Sequence, residues 1–306
     1  MNKFVVGIDI GGTRTKIGLV DLKIGKVLDL KIVPTETVDD RLFLKYIVKT
    51  VANLKLIVAE TKAEIVGIGF GIPGFVFENG VVDSTYGFLE FMEDYPLKDI
   101  IQNTIGLPCL LDNDARCIAL GEALYGAGKN SKRILVLTLG TGLGFGFVTN
   151  GKFETTLPYA HMGGHISIGH TTFKCYCGKQ GCLESLVSAT GIIASAKRLG
   201  WETKFPDLPL KVETIFEAEQ QGNTIAVQIV SDFIAQLKTG IHNYINLFAP
   251  DIIVIGGGVS KGMKPYLERL SVDDFLKPYK NYHVNIVLSE LDEHSGILGA
   301  AALFNS

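Results

Sequence analysis

The feature that most constrains this chain is His165, nine intervening residues, and then Cys175-Tyr176-Cys177-Gly178-Lys179-Gln180-Gly181-Cys182-Leu183-Glu184. Three of the five cysteines fall within eight positions, and a histidine precedes them at loop-closing distance. Three thiolates and one imidazole are the ligand set of a closed, tetrahedral structural zinc site. Thiols separated by one and by four residues match neither a thioredoxin-type pair nor a haem-attachment motif. The competing reading is a loop of unliganded thiols. With all four positions taken by protein, a zinc ion would stiffen this loop rather than activate water. On the zinc reading the fold brings His165 over the segment 175–182, with Glu184 immediately beyond the last ligand.

At 306 residues the chain is long for one hydrophobic core, so two domains are expected. A net charge of −3 and the lack of a basic stripe argue against a nucleic-acid surface. No apolar run reaches the roughly 18 residues of a membrane span. A strand-like run, Phe4 to Ile8, starts within four residues of the N-terminus. Neither a signal peptide nor an appended DNA-binding helix-turn-helix is therefore expected before it. Cys109 and Cys117 read as small reduced core residues, and the expected compartment is the cytoplasm.

Three strands are expected first, at Phe4–Ile8, Lys16–Val20 and Val27–Val33, turned by Gly11-Gly12 and by Lys23-Ile24-Gly25. Phe43, Ile47, Val51, Leu54 and Val58, spaced three and four apart, predict a helix. Strands follow at Ile65–Phe70 and Pro108–Leu111. A similar order recurs with Ile134–Leu139, a Gly-Thr-Gly turn and Phe145–Thr149, then a helix over Thr224–Phe248 and a strand at Ile252–Ile255. The repetition suggests a duplicated α/β architecture with a cleft between halves. Motif order sets the domains at 1–111 plus 294–306, and at 112–293, with the last helical run, Gly296 to Phe304, packing back on the first half.

The 35 glycines are clustered, and the clusters read as phosphate-type turns. Asp9-Ile10-Gly11-Gly12-Thr13-Arg14-Thr15-Lys16 sets a carboxylate at a strand end, then a turn with two glycines and a hydroxyl. Backbone N–H groups and Thr13 could face phosphate oxygens while Asp9 holds hydrated magnesium. An ordinary hairpin is the alternative. Gly140, Thr141 and Gly142 form the second such turn, and Gly256, Gly257 and Gly258 offer bare backbone to a flat adenosine. Gly69 to Gly74 matches a dinucleotide fingerprint, but Pro73 and the lack of a following helical pattern disqualify it. Gly126 to Asn130 lacks the earlier glycine and the hydroxyl residue of a P-loop.

These motifs together resemble the ROK family of sugar kinases and repressors, within the actin-like ATPase superfamily. The likeness rests on the zinc cluster, Asp9 to Lys16, Leu111-Asp112-Asn113-Asp114 and the Gly140 loop. It implies two ribonuclease-H-like α/β domains around an interdomain cleft that holds a sugar, with ATP and magnesium, and a homodimer is expected. It further implies Asp114 as catalytic base, Asn113 as a sugar ligand, and sugar contacts from Gly74, Thr85, His165 and Glu184. His165 would then serve twice, one ring nitrogen on zinc and the other toward a sugar hydroxyl. A carboxylate suits the task, since phosphoryl transfer needs positioning, charge neutralisation and a proton acceptor. The competing reading makes Asp114 only the cap of the helical run Ala115 to Leu124.

One departure concerns specificity. Family kinases usually carry Glu-x-Gly-His, whereas Ala160-His161-Met162-Gly163-Gly164-His165 puts Met162 where the glutamate is expected. The segment Asp83 to Phe88 also lacks the Pro-Asn-Leu of many glucokinases. The expected activity is ATP-dependent phosphorylation of a primary hydroxyl, the 6-hydroxyl of a hexose or hexose derivative, with plain glucose disfavoured. The alternative is a catalytically silent sugar-binding regulator.

Overall fold

The computed structural model describes residues 2–61, 63–84, 88–153, 157–169, 173–270 and 280–305. The chain forms two compact units, Met1–Lys132 with Gly146–His161 and Glu290–Ser306, and Arg133–Phe145 with Met162–Ser289.

The first unit opens with strands β1 (Asn2–Ile10), β2 (Arg14–Asp21) and β3 (Lys26–Pro34), then helix α1 (Asp40–Ala59) and strand β4 (Ala63–Ile72). Two short strands, β5 (Phe75–Val76) and β6 (Val82–Asp83), precede α2 (Leu97–Ile105), β7 (Cys109–Asn113) and α3 (Asp114–Tyr125). Its main sheet has the order β3-β2-β1-β4-β7, with β1 parallel to β4 and β4 parallel to β7. Period-two alternation explains how β1 is covered. Val6, Ile8 and Ile10 join the core containing Phe43, Ile47, Val51, Leu54 and Val58 of α1. Val5 turns to the opposite face, against Ile297, Leu298 and Ala301 of α10 (Ser295–Ala302). Burial of each large side chain on α1 contributes roughly 1.5–3 kcal/mol. Asp39 caps α1 by accepting from the Leu42 N–H at 3.0 Å.

Gly69 and Gly71 lie inside β4, not in a nucleotide turn; a Cβ on Gly69 would collide with the Ala300 carbonyl of α10. The same close approach corrects the expected boundary near 112. A Cβ on Gly299 would collide with the Cys117 carbonyl, so α3 and α10 pack backbone to backbone and α3 belongs to the first unit.

The second unit holds β8 (Arg133–Leu139), the start of β9 (Leu143–Thr149), helices α4 (Glu184–Val187), α5 (Ala189–Arg198), α6 (Trp201–Lys204), α7 (Val212–Gln220) and α8 (Thr224–Phe248), strand β10 (Ile252–Gly256), α9 (Leu267–Leu270) and β11 (Asn285–Leu288). The sheet order is β11-β10-β8-β9, and β10 runs parallel to both β8 and β11. The buried residues Ile229, Phe233, Leu237, Ile241 and Tyr244 form the apolar stripe of α8. Asn223 caps this helix by accepting from Ile225 and Ala226 N–H, both at 3.1 Å. Among the described residues no helix is long and apolar enough to cross a membrane.

Candidate active site

In the first unit the parallel strands bring three motifs to one sheet edge. Asp9 of β1 pairs with Gly71 of β4, and Ile72 pairs with Asn113 at the end of β7. The C-terminal edge of parallel strands is where open α/β sheets bind ligands. Asp9 is buried, its carboxylate 3.6 Å from Lys16 Nζ, and Lys16 also donates to the Glu293 carbonyl at 3.3 Å. Burial pushes the Asp9 carboxyl above its usual range, with the Lys16 charge pulling the other way. Gly11 to Thr13 form the tight turn of this hairpin, closed by the Gly11 N–H donating to the Arg14 carbonyl at 3.0 Å. Thr35 steadies it by donating its hydroxyl to the Gly11 carbonyl at 2.7 Å. Gly12 and Thr13 are left exposed at the tip.

Asn113 and Asp114 divide the work at the start of α3. The Asn113 side-chain oxygen accepts from the Ala115 and Arg116 N–H groups, at 3.0 and 3.3 Å. Its amide donates to the carbonyls of Ile72 and Gly74, at 3.4 and 3.1 Å. Asn113 is therefore the cap of α3, the role that the sequence leaves open for Asp114. Asp114 stands in the first turn, favoured there by the helix dipole, and accepts from the Ala115 N–H at 2.8 Å. Enclosure first, and then the like charge of Asp9, push its carboxyl up to about 6. Gly74 has φ +108, and a Cβ there would lie 2.6 Å from the Asp83 carbonyl oxygen, so only glycine fits beside Asn113. Thr85 lies outside the described residues.

Two residues here escape a reading of the sequence. Arg116 is buried and clamps Asp112 through Nε at 2.7 Å and Nη2 at 3.3 Å, an i,i+4 pair visible as spacing alone. Its Nη1 donates to the Leu157 carbonyl at 2.9 Å, and the guanidinium lies 4.5 Å over the Phe153 ring. Gly296 gives Asp9 its space, since a Cβ there would come within 2.5 to 2.7 Å of the carboxylate. His161 packs its ring 5.2 Å from that of Phe75.

In the second unit the two remaining glycine turns leave neighbouring strands side by side, with Gly256 of β10 paired to Thr138 of β8. The Gly140 carbonyl accepts from the Ala189 N–H at 2.8 Å, and the Thr141 carbonyl accepts from the Thr190 hydroxyl at 2.8 Å. Gly142 is held close to Glu184, where a Cβ would lie 2.8 Å from the carboxylate. Gly257 has φ +87 and packs on the Leu139 backbone, while a Cβ on Gly258 would meet no atom within 4 Å.

The four cluster ligands meet as their spacing implies. His165, Cys175, Cys177 and Cys182 offer ligand atoms within 4.8 Å of one another. His165 Nδ1 is 3.4 Å from Cys175 Sγ, and Cys177 Sγ is 3.6 Å from Cys182 Sγ. Zinc bonds of about 2.0–2.3 Å in a tetrahedron set ligand atoms roughly 3.4–3.8 Å apart, so the donor set fits that ion. Burial, and then the Lys179 charge, hold His165 below the usual imidazole range, which keeps the ring neutral for ligation. The loop is closed by the Ile168 N–H donating to Gly181 at 2.9 Å and the Leu183 N–H donating to Ile166 at 2.9 Å. Glu184 then links this centre to the Gly140 turn. One carboxylate oxygen accepts from the Leu143 N–H at 3.1 Å, and the other lies 3.9 Å from Cys175 Sγ. Met162 and His165 bound a single 3-10 turn, and Met162 is half-buried.

The ROK family pattern matches residues 5–306. A glucokinase from Thermotoga maritima is 33% identical, over 98% of this chain and 96% of that protein. A xylose repressor from Caldicellulosiruptor bescii is 27% identical, over 98% of this chain and 77% of the repressor. The crystal structure of a ROK family glucokinase from Streptomyces griseus, in complex with glucose and AMPPNP, superposes with a TM-score of 0.77. It is 26% identical, over 98% of each chain. The chain belongs to the ROK family.

Proposed function

We propose that this ROK-family chain is an ATP-dependent sugar kinase in which Asp114 accepts the proton of a primary hydroxyl, the 6-hydroxyl of a hexose or hexose derivative. The observation that carries the reading is the division of labour at α3. Asn113 satisfies the helix N-terminus, and Asp114 keeps a carboxylate at the sheet edge with its pKa pushed up to about 6. A base tuned toward neutrality is what proton acceptance near pH 7 requires. As the sugar oxygen attacks the γ-phosphorus, its proton moves to Asp114 and the bond to the ADP oxygen breaks.

Asp9 and the Gly11–Thr13 turn have the donors for a hydrated magnesium ion, which takes one or two carboxylates and keeps several waters. Bound there with the nucleotide, it would neutralise phosphate charge. Gly140 to Gly142 and Gly256 to Gly258 are assigned to the nucleotide, with Lys16 steering Asp9. Glu184, His165, Gly74, Asn113 and Thr85 are assigned to the sugar. The zinc centre is structural, fixing His165 and Glu184. A silent sugar-binding regulator is the competing reading, and the xylose repressor among the relatives favours it. The carboxyl groups kept at both Asp9 and Asp114 support transfer instead, because binding alone has no need of a carboxyl held above its ordinary range.

A coupled ADP-release screen over hexoses, N-acetylhexosamines, ketoses and β-glucosides tests the reading. At least one sugar should drive ADP release that falls by several orders of magnitude in Asp114→Asn. Tight sugar binding without turnover on any of them would establish the regulator.

A further inference from the structure

The ring of His165 is held from both sides. Nδ1 faces the thiols, 3.4 Å from Cys175 Sγ, while Nε2 lies 3.0 Å from the hydroxyl of Tyr176. The two rings meet edge to face, with centroids 5.0 Å apart at 87°. Tyr176 is half exposed, at 50%, yet its hydroxyl is directed back at a histidine that is 7% exposed. A neutral imidazole has one N–H and one lone pair. If Nδ1 gives its lone pair to a cation, Nε2 carries the proton and must donate it, so the Tyr176 oxygen is the acceptor.

The backbone makes this contact reproducible. Tyr176 stands between two of the cluster cysteines on a tight turn. The Gly178 N–H donates to the Cys175 carbonyl at 2.9 Å, and the Cys175 N–H donates to the Lys179 carbonyl at 2.8 Å. Gly178 has φ +87, the left-handed conformation that lets the chain reverse there. The turn that sets Cys175 and Cys177 on one centre also sets the tyrosine on the far side of the imidazole. Ligating histidines depend on such outer partners, whose loss typically costs 10–100-fold in metal affinity.

We propose that Tyr176 is a positioning residue for the zinc centre: its hydroxyl accepts from His165 Nε2–H, fixing the tautomer and the ring plane in which Nδ1 meets the metal. The assignment rests on the zinc reading of the cluster. It also means that a sugar hydroxyl seeking His165 Nε2 must share that nitrogen with Tyr176 or replace it.

The test is chelator-driven zinc release from the purified full chain, followed with a colorimetric dye, for wild type, Tyr176→Phe and Tyr176→Ala. Zinc content is measured first, and matching circular dichroism spectra establish that each variant is folded. Acceptance by the hydroxyl predicts that Phe and Ala release zinc alike, each about 10–100-fold faster than wild type. Cobalt-substituted Tyr176→Phe should also show a shifted ligand-field spectrum. Wild-type release rates in Tyr176→Phe, with fast release only in Tyr176→Ala, would assign the effect to ring packing and overturn the proposal. Equal rates in all three would overturn it too. A wild-type chain that purifies without zinc would instead refute the metal reading, and this assignment with it.

Discussion

Replacing Asp114 by asparagine should make the protein more stable while abolishing transfer, and the gain should depend on pH. The carboxyl is pushed from the usual 3.8 up to about 6, by enclosure first and by the Asp9 charge second. That displacement corresponds to about 3 kcal/mol against the ionised form in the folded state. Asp114 is partly open to solvent, so about 2–3 kcal/mol is the working figure. The folded carboxyl holds its proton to a higher pH than the unfolded one. The penalty is therefore absent below about pH 4, grows between about pH 4 and 6, and is complete above that range. Asparagine is neutral throughout, has nearly the same volume, and keeps an oxygen for the Ala115 N–H.

Thermal unfolding of wild type and Asp114→Asn, without nucleotide or magnesium, should thus differ by about 1 kcal/mol at pH 4.5 and about 2–3 kcal/mol at pH 7.5. For units of this size each kcal/mol moves the midpoint by about 2–4 °C. The variant should accordingly melt several degrees higher at pH 7.5, while its ADP release falls by several orders of magnitude. Equal midpoints at both pH values, or a variant less stable at pH 7.5, would refute the claim that Asp114 is held at an energetic cost for chemistry.

Cys177→Ser should lower both zinc content and midpoint, because metal binding is coupled to folding of the loop; full stability in zinc-free protein would reject the structural role. Arg116→Met should cost up to about 3–5 kcal/mol in denaturant unfolding, since it removes a buried guanidinium and strands the partly buried Asp112 carboxylate, and adding Asp112→Asn should recover part of that loss. Met162→Glu should move kcat/KM toward glucose by about 1–3 kcal/mol relative to a sugar altered at carbon 1 or 2, the worth of restored charge-assisted hydrogen bonds. Efficient glucose turnover by wild type that collapses in His161→Ala would show instead that His161 has replaced the glutamate.

What could be read from the sequence is what is local in the chain. The five residues predicted to face the core from α1 are the five that it buries, because a 3.6-residue period is set within one helix. The convergence of His165, Cys175, Cys177 and Cys182 was equally plain, three of the four lying within eight positions. The division of the chain was not, because α3 and α10 join through Cys117 and Gly299, far apart in sequence, and no periodicity encodes that contact. Nor was the cap of α3. Asn113 and Asp114 are both acceptable capping residues, and only the backbone direction at the end of β7 selects between them. The bond from the Leu143 N–H to Glu184 was invisible for a related reason, since every residue except proline offers the same donor.

Glycine needs the same separation, and it yields a last prediction. Most described glycines either adopt positive φ or sit where a Cβ would touch a neighbour, so packing and conformation account for them. Four do neither: Gly12, Gly140, Gly169 and Gly258. Three of these fall one apiece in the turns assigned to the nucleotide and its magnesium ion. Within the fold their missing side chains serve no steric purpose, which leaves approach by something outside the protein as the purpose. Alanine at 12, 140 or 258 should then leave the midpoint unchanged or raise it, by up to about 1 kcal/mol, through the lower entropy of the unfolded chain. The same changes should raise the KM for ATP. Gly169→Ala should leave the KM for ATP alone, and Gly257→Ala should cost more than about 1 kcal/mol, since its φ of +87 and the Leu139 backbone forbid a Cβ. A stable Gly140→Ala and Gly258→Ala pair that both bind ATP as wild type does would remove these turns from the nucleotide site, whatever the resemblance of their sequences.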